Sequence, residues 1–104
     1  MPKMKITVIK RFHPKDVFGK DYVTPTGKTV TPCQSFEDNQ EFILDKLNKP
    51  DGFCTWAWYD LYKDLSVLWW GGDFKDWMEK GIMYTACSDG VRPVCFKLER
   101  LEEK

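Results

Sequence analysis

The segment from Phe53 to Trp69 runs without proline or glycine, bounded by Pro50-Asp51-Gly52 on one side and Gly71-Gly72 on the other. No other stretch of the chain offers so strong a helix signal, so the fold must be organised around it. At about 100° per residue, Ala57, Leu68, Leu61, Cys54, Leu65 and Trp58 crowd into one arc of the helix, and Thr55, Ser66, Tyr59 and Lys63 fall opposite. The pattern predicts an amphipathic helix over 53–69 with Asp51 as N-cap and the glycine pair as its stop. Asp60 and Asp64 lie at the edge of the apolar stripe, where an acid is either a rim residue or half of a buried polar pair.

Around this helix the chain reads as strands. Lys3 to Phe12 alternates, with Met4, Ile6 and Val8 on one face, and Glu41 to Asp45 forms a second, shorter strand. Ile82–Ser88 and Val91–Leu101 flank Asp89-Gly90, a strong hairpin signal. A two-residue loop there would place Cys87 opposite Arg92, Thr85 opposite Val94 and Met83 opposite Phe96. Asp73 to Lys80 predicts a short second helix with Asp73 as N-cap and Phe74, Trp77 and Met78 as its apolar side. His13 to Pro32 is the most loop-like region, with a small hairpin around Pro25-Thr26-Gly27-Lys28. Together these elements predict an α+β fold: a small, mainly antiparallel sheet packed on one main helix and one short helix, in a single domain over residues 1–104.

Sixteen basic and sixteen acidic residues cancel and are interspersed along the chain, so no concentrated positive field is offered to a nucleic acid. Leu65 to Trp70, the longest apolar stretch, is far too short to span a bilayer. Met1 to Lys5 leads into a charged strand rather than an apolar leader, which predicts a cytoplasmic protein with reduced thiols.

Four cysteines remain to be explained. A reduced cysteine can serve simply as a small hydrophobe. Cys95 fits that role, pointing to the opposite hairpin face from Met83 and Phe96. Cys54 sits on the helix stripe, Cys87 on the core side of the hairpin, and Cys33 follows Pro32 just before Phe36. If the strands pack on the helix, Cys33, Cys54 and Cys87 could meet, and three thiolates suit zinc or part of an iron–sulfur cluster. They are not paired as Cys-x-x-Cys. Alternatively, a cation beside Cys87 would activate it, making an enzyme or an anion- or small-molecule-binding pocket from Cys87, Arg92 and Asp60 with Trp58 as a wall. Asp89 reads as the turn-former of the hairpin, and His13 as a bystander. Trp56 and Trp70 fall towards the polar side of the helix, where a homo-oligomer would cover them, leaving the cysteines as core.

The strings Lys5-Ile6-Thr7-Val8-Ile9-Lys10-Arg11, Pro32-Cys33, Gln40-Glu41-Phe42, Gly52-Phe53-Cys54-Thr55-Trp56-Ala57-Trp58, Gly71-Gly72 and Cys87-Ser88-Asp89-Gly90-Val91-Arg92-Pro93-Val94 occur in this order. Together they resemble a family of small bacterial and archaeal proteins, common in anaerobes, over nearly the whole chain. The resemblance implies that Cys33, Cys54, Cys87 and Asp60 belong to the family pattern, whereas Cys95 and His13 do not. Asn39 stands where the family usually has glycine, and the stretch from Phe18 to Thr31 is longer than usual. No activity is implied, because none is assigned to the family.

Overall fold

The computed structural model describes residues 3–101. In chain order it contains β1 (Lys3–Arg11), α1 (Pro14–Phe18), β2 (Glu41–Leu44), α2 (Thr55–Trp69), β3 (Ile82–Ala86) and β4 (Val94–Leu101). The four strands form one antiparallel sheet in the order β2-β1-β4-β3, with α2 packed on it. The α+β architecture read from the sequence is therefore present. Alternation in the two central strands buries Met4, Ile6 and Val8 beside Val94, Phe96 and Leu98, all fully inaccessible. The helix contributes Ala57, Trp58, Leu61, Leu65, Leu68 and Trp69 to the same core. No helix among the described residues is long and apolar enough to cross a membrane.

Two polar links fix how α2 lies. Near its start, Asp60 Oδ2 accepts the Ser88 N–H at 2.7 Å, just beyond the end of β3. At its other end, Arg100 of β4 donates to the carbonyls of Leu68 and Gly72 at 3.0 and 2.8 Å, and to Asp73 Oδ1 at 3.0 Å. The helix start and the β3–β4 connection consequently share one end of the sheet. Glycine is required where the helix stops: Gly71 has φ 90°, and a side chain at Gly72 would lie 2.8 Å from the Val67 side chain.

Four sequence expectations shift. The helix begins at Thr55, with Cys54 rather than Asp51 as N-cap. The turn that precedes it, closed by Phe53 N–H to the Pro50 carbonyl with Gly52 at φ 79°, uses up Asp51 and turns Phe53 into an aromatic cluster with Phe36 and Phe42. No second helix forms over 73–80. The Asp73 carboxylate is taken by Gly81 N–H and Arg100, and Asp76 adopts φ 69°, so only one turn closes after Phe74. Phe74 packs on the core, but Trp77 is exposed.

The short helix is instead α1, inside the region read as loop. His13 Nδ1 accepts the Lys15 N–H, Asp16 accepts the His13 N–H, and Gly19 ends the element at φ 76°. Finally, the β3–β4 register is two residues from the expected one: Met83 faces Leu98 and Thr85 faces Phe96. Pro93 has no N–H to extend the ladder, and Asp89 folds the connection by accepting the Val91 and Arg92 N–H groups. A shift of two preserves which face each residue occupies, so the core side stays as expected.

One further local reading holds. The small hairpin forms as a bridge between Val23 and Thr29. Asn39 takes φ 67°, a left-handed conformation that glycine and asparagine tolerate best.

Asp73 supplies a test of the clamp at the far end of α2. The Gly81 N–H and the Arg100 guanidinium hold its carboxyl below the ordinary carboxylate range, against a smaller opposing effect of burial. A lowered value means stabilisation that is complete above the unfolded-chain pKa and lost as pH falls through the folded one. Asp73→Asn should lower the melting temperature at pH 7 and flatten the decline of stability below about pH 4, measured by thermal melts across pH. An unchanged acid limb would show that the clamp contributes nothing.

Candidate functional site: a three-cysteine cleft

Three distant segments meet at the end of the sheet where α2 begins. Cys54 is the N-cap of α2, and its side chain makes no capping hydrogen bond. Cys87 directly follows β3, its N–H donating to the Val94 carbonyl at 3.0 Å and its Sγ accepting the Val94 N–H at 3.3 Å. Cys33 lies in the loop before buried Phe36, and Arg11 Nη1 anchors that loop by donating to the Cys33 carbonyl at 3.0 Å. All three are half-buried, and with Asp60, Asp89 and Arg92 they line one cleft. Phe36 and Ala57 form its apolar floor, and Trp56 stands at the side, 73% exposed.

The free volume is about 40 Å³. That exceeds the roughly 10–15 Å³ such a space needs to hold one water molecule, so a small occupant has room. Among the described residues, however, no three His, Cys, Asp or Glu side chains are disposed as a ready-made ligand set for a metal ion. The cysteines share a cleft without surrounding a point.

The polar residues are partnered differently from the sequence expectation. With the observed register, Cys87 stands opposite Val94, not Arg92. Asp60 does not pair with Arg92 but holds the Ser88 backbone, tying helix to turn. Arg92 lies against Asp89, Nε to Oδ2 at 3.6 Å, and its Nη1 donates to the Thr31 carbonyl at 3.3 Å. Asp89 is thus both turn-former and counter-charge, a double role legible only in its three-residue spacing from Arg92. Trp58 does not wall the cleft: it is buried edge-on against Phe53, and Trp56 takes the lining position. Cys95 lies on β4 between buried Val94 and Phe96, on the opposite face, and is not among the lining residues. His13 also stays outside, as the α1 cap.

Burial pushes the Cys87 thiol above its ordinary value, and the nearby Asp89 carboxylate and Cys33 sulfur add to the rise. The backbone N–H groups of Asp89 and Val94 oppose it. The net effect is the reverse of the lowering that activates a cysteine nucleophile.

No family model matches the chain, and no similar curated protein or solved structure is found.

Because Asp60 pins the turn that carries Cys87, Asp60→Ala should cost about 1 kcal/mol of stability, the net value of one such hydrogen bond. It should also speed iodoacetamide labelling of Cys87, with urea unfolding and mass-spectrometric labelling rates as the two readouts. Unchanged labelling would mean that the turn keeps its position without the helix.

Proposed function

We propose that this cleft is a thiolate site for a soft metal ion, with Cys33, Cys54 and Cys87 as ligands in a reducing, cytoplasmic setting. The observation that carries the reading is the meeting of three cysteines from three separate segments at one small cleft. Two local features support it. The Cys54 side chain is not spent on capping, and the N-terminus of α2 favours a developing thiolate. The Cys87 sulfur already accepts a backbone N–H, an interaction that tunes sulfur ligands in metal and cluster sites.

Ligation would draw the sulfurs to about 2.3 Å from one zinc ion and displace the thiol protons. The Cys33 loop and the side-chain rotamers of Cys54 and Cys87 supply that movement. An iron–sulfur cluster would need the cleft to widen, so a single ion such as zinc is the better fit. The alternative of an enzyme or anion site built on Cys87, Arg92 and Asp60 has less behind it. Cys87 stands opposite Val94 rather than Arg92, and Asp60 is committed to Ser88, so these three residues do not converge on one anion. The family resemblance adds the same three cysteines and Asp60 but no activity.

Protein purified without oxygen should carry about one zinc or iron per chain by elemental analysis. The metal should be lost in the Cys33→Ser/Cys54→Ser/Cys87→Ser variant and retained in Cys95→Ser. A folded, metal-free chain that takes up no zinc in competition with a chromophoric chelator would sink the reading.

A second feature favours self-association. Trp56 and Tyr59 on α2 and Trp70 at its C-cap are 73%, 72% and 76% exposed, leaving large apolar side chains uncovered along the helix. Light scattering over a concentration series should show a homo-oligomer that Trp70→Lys disperses; a monomer at every concentration would remove this reading.

A further inference from the structure

The longest irregular segment of the chain builds a second concavity beside the cysteine cleft. Residues 22–30 fold back as a ribbon, with Val30 N–H to the Tyr22 carbonyl at 2.9 Å and Thr24 N–H to the Lys28 carbonyl at 2.8 Å. The ribbon stands against the 89–92 turn, joined to it by the Arg92 bond to the Thr31 carbonyl. Between them runs an open groove of about 450 Å³. That volume falls in the range of small-molecule sites, roughly 300–1,000 Å³. Tyr22, Thr24 and Lys28 line it from the ribbon, Thr31 from just beyond it, and Asp89 and Arg92 from the turn.

The lining carries two cations, one carboxylate and several hydroxyls, so its balance is positive and its donors are plentiful. Arg92 spends Nε on Asp89 at 3.6 Å and Nη1 on Thr31 at 3.3 Å, both long contacts. Among the described residues, Nη2 donates no hydrogen bond, and Lys28 Nζ has neither a hydrogen bond nor an ion pair. Asp89 and Arg92 also line the cysteine cleft, so one ion pair forms a wall common to the two spaces.

We propose that the groove binds a small oxyanion-bearing molecule, a phosphate ester or a carboxylate, with the anion held between Lys28 Nζ and the Arg92 guanidinium. The threonine hydroxyls receive the polar remainder. A bound oxyanion competes with Asp89 for Arg92, so occupancy of the groove alters the wall of the cysteine cleft. The binding itself is independent of the metal reading; only a role for the ligand at a metal centre rests on it.

The full-length chain would be titrated separately with inorganic phosphate and with succinate, following backbone amide shifts by NMR. We expect saturable binding in the millimolar range by at least one probe, with shifts in the ribbon and at residues 89–92. Phosphate alone binding identifies a phosphate-ester site; succinate alone binding identifies a carboxylate site. Affinity should fall at least about tenfold in Lys28→Gln, an exposed position that leaves the fold intact, and in Arg92→Gln, while Lys46→Gln on a remote turn behaves as wild type. Saturation should also change the alkylation rate of Cys87 at least about threefold, the sign of the shared wall. No saturation by either probe, or equal affinity in Lys28→Gln, overturns the site; an unchanged Cys87 rate overturns the coupling. The Cys33→Ser/Cys54→Ser variant separates the two readings, because it should still bind the oxyanion even if the chain proves to hold no metal.

Discussion

Pairing of β1 with β4 is the constraint on which the rest of the structure depends. These strands come from opposite ends of the chain, and their register from Lys3–Leu101 to Arg11–Val94 places nearly everything else in a single intervening loop. Closing so long a loop is entropically costly, though the cost grows only slowly with length. What offsets it is one apolar face, Met4, Ile6 and Val8 beside Val94, Phe96 and Leu98, which no water reaches. The short edge strands β2 and β3 gain their places only because this pair is already there. The helix α2 lies over β3 and β4 on the same face of the sheet.

The same pairing decides where chemistry can occur. Asp60 and Arg100 fix the helix at its two ends, but with different consequences. The Arg100 end is saturated: three acceptors converge on one guanidinium, and Asp73 also receives the Gly81 N–H. The Asp60 end is looser, made from an N-cap without a side-chain bond, a hairpin connection widened by Pro93 and a loop held by Arg11. Three cysteines sit at this end, around the small cleft. A site that must adjust to an occupant is better placed there than in the close-packed middle of α2.

Much of this was legible in local pattern. Period two marked the buried face of β1, and period 3.6 marked Ala57, Leu61, Leu65 and Leu68 on α2, because burial is imposed on every residue of a regular element. Parity also separated Cys95 from Cys87, and it survived a register displacement of two residues since the faces repeat at that interval. What could not be read were the partners of single polar side chains. Asp73 looks like an N-cap and instead serves Gly81 and Arg100; Asp60 looks like a partner for Arg92 and instead holds Ser88. Such pairings depend on which strand ends arrive where, which no window of local sequence contains. α1 escaped for a related reason: five residues capped by a histidine carry too little periodicity to stand out from a loop.

The contrast among the cysteines then becomes a physical one. Cys95 occupies a strand position where a small hydrophobe of similar size would meet the same demands. Cys87 does not, because the Val94 N–H is directed to its sulfur. Alanine or valine at 87 would take that acceptor away, and an amide left without a partner in a partly buried place costs more than the hydrogen bond itself contributes. Part of the requirement for sulfur at 87 is therefore structural and would hold with or without a metal. Cys54 accepts no such bond: it caps less well than serine or aspartate would, and its side chain packs against the core as a small hydrophobe. Second-best as a cap but lining the cleft, Cys54 is the residue at which the packing reading and the proposed metal reading differ most. On this reasoning Cys54, rather than Cys87, separates a functional cluster from a packing accident.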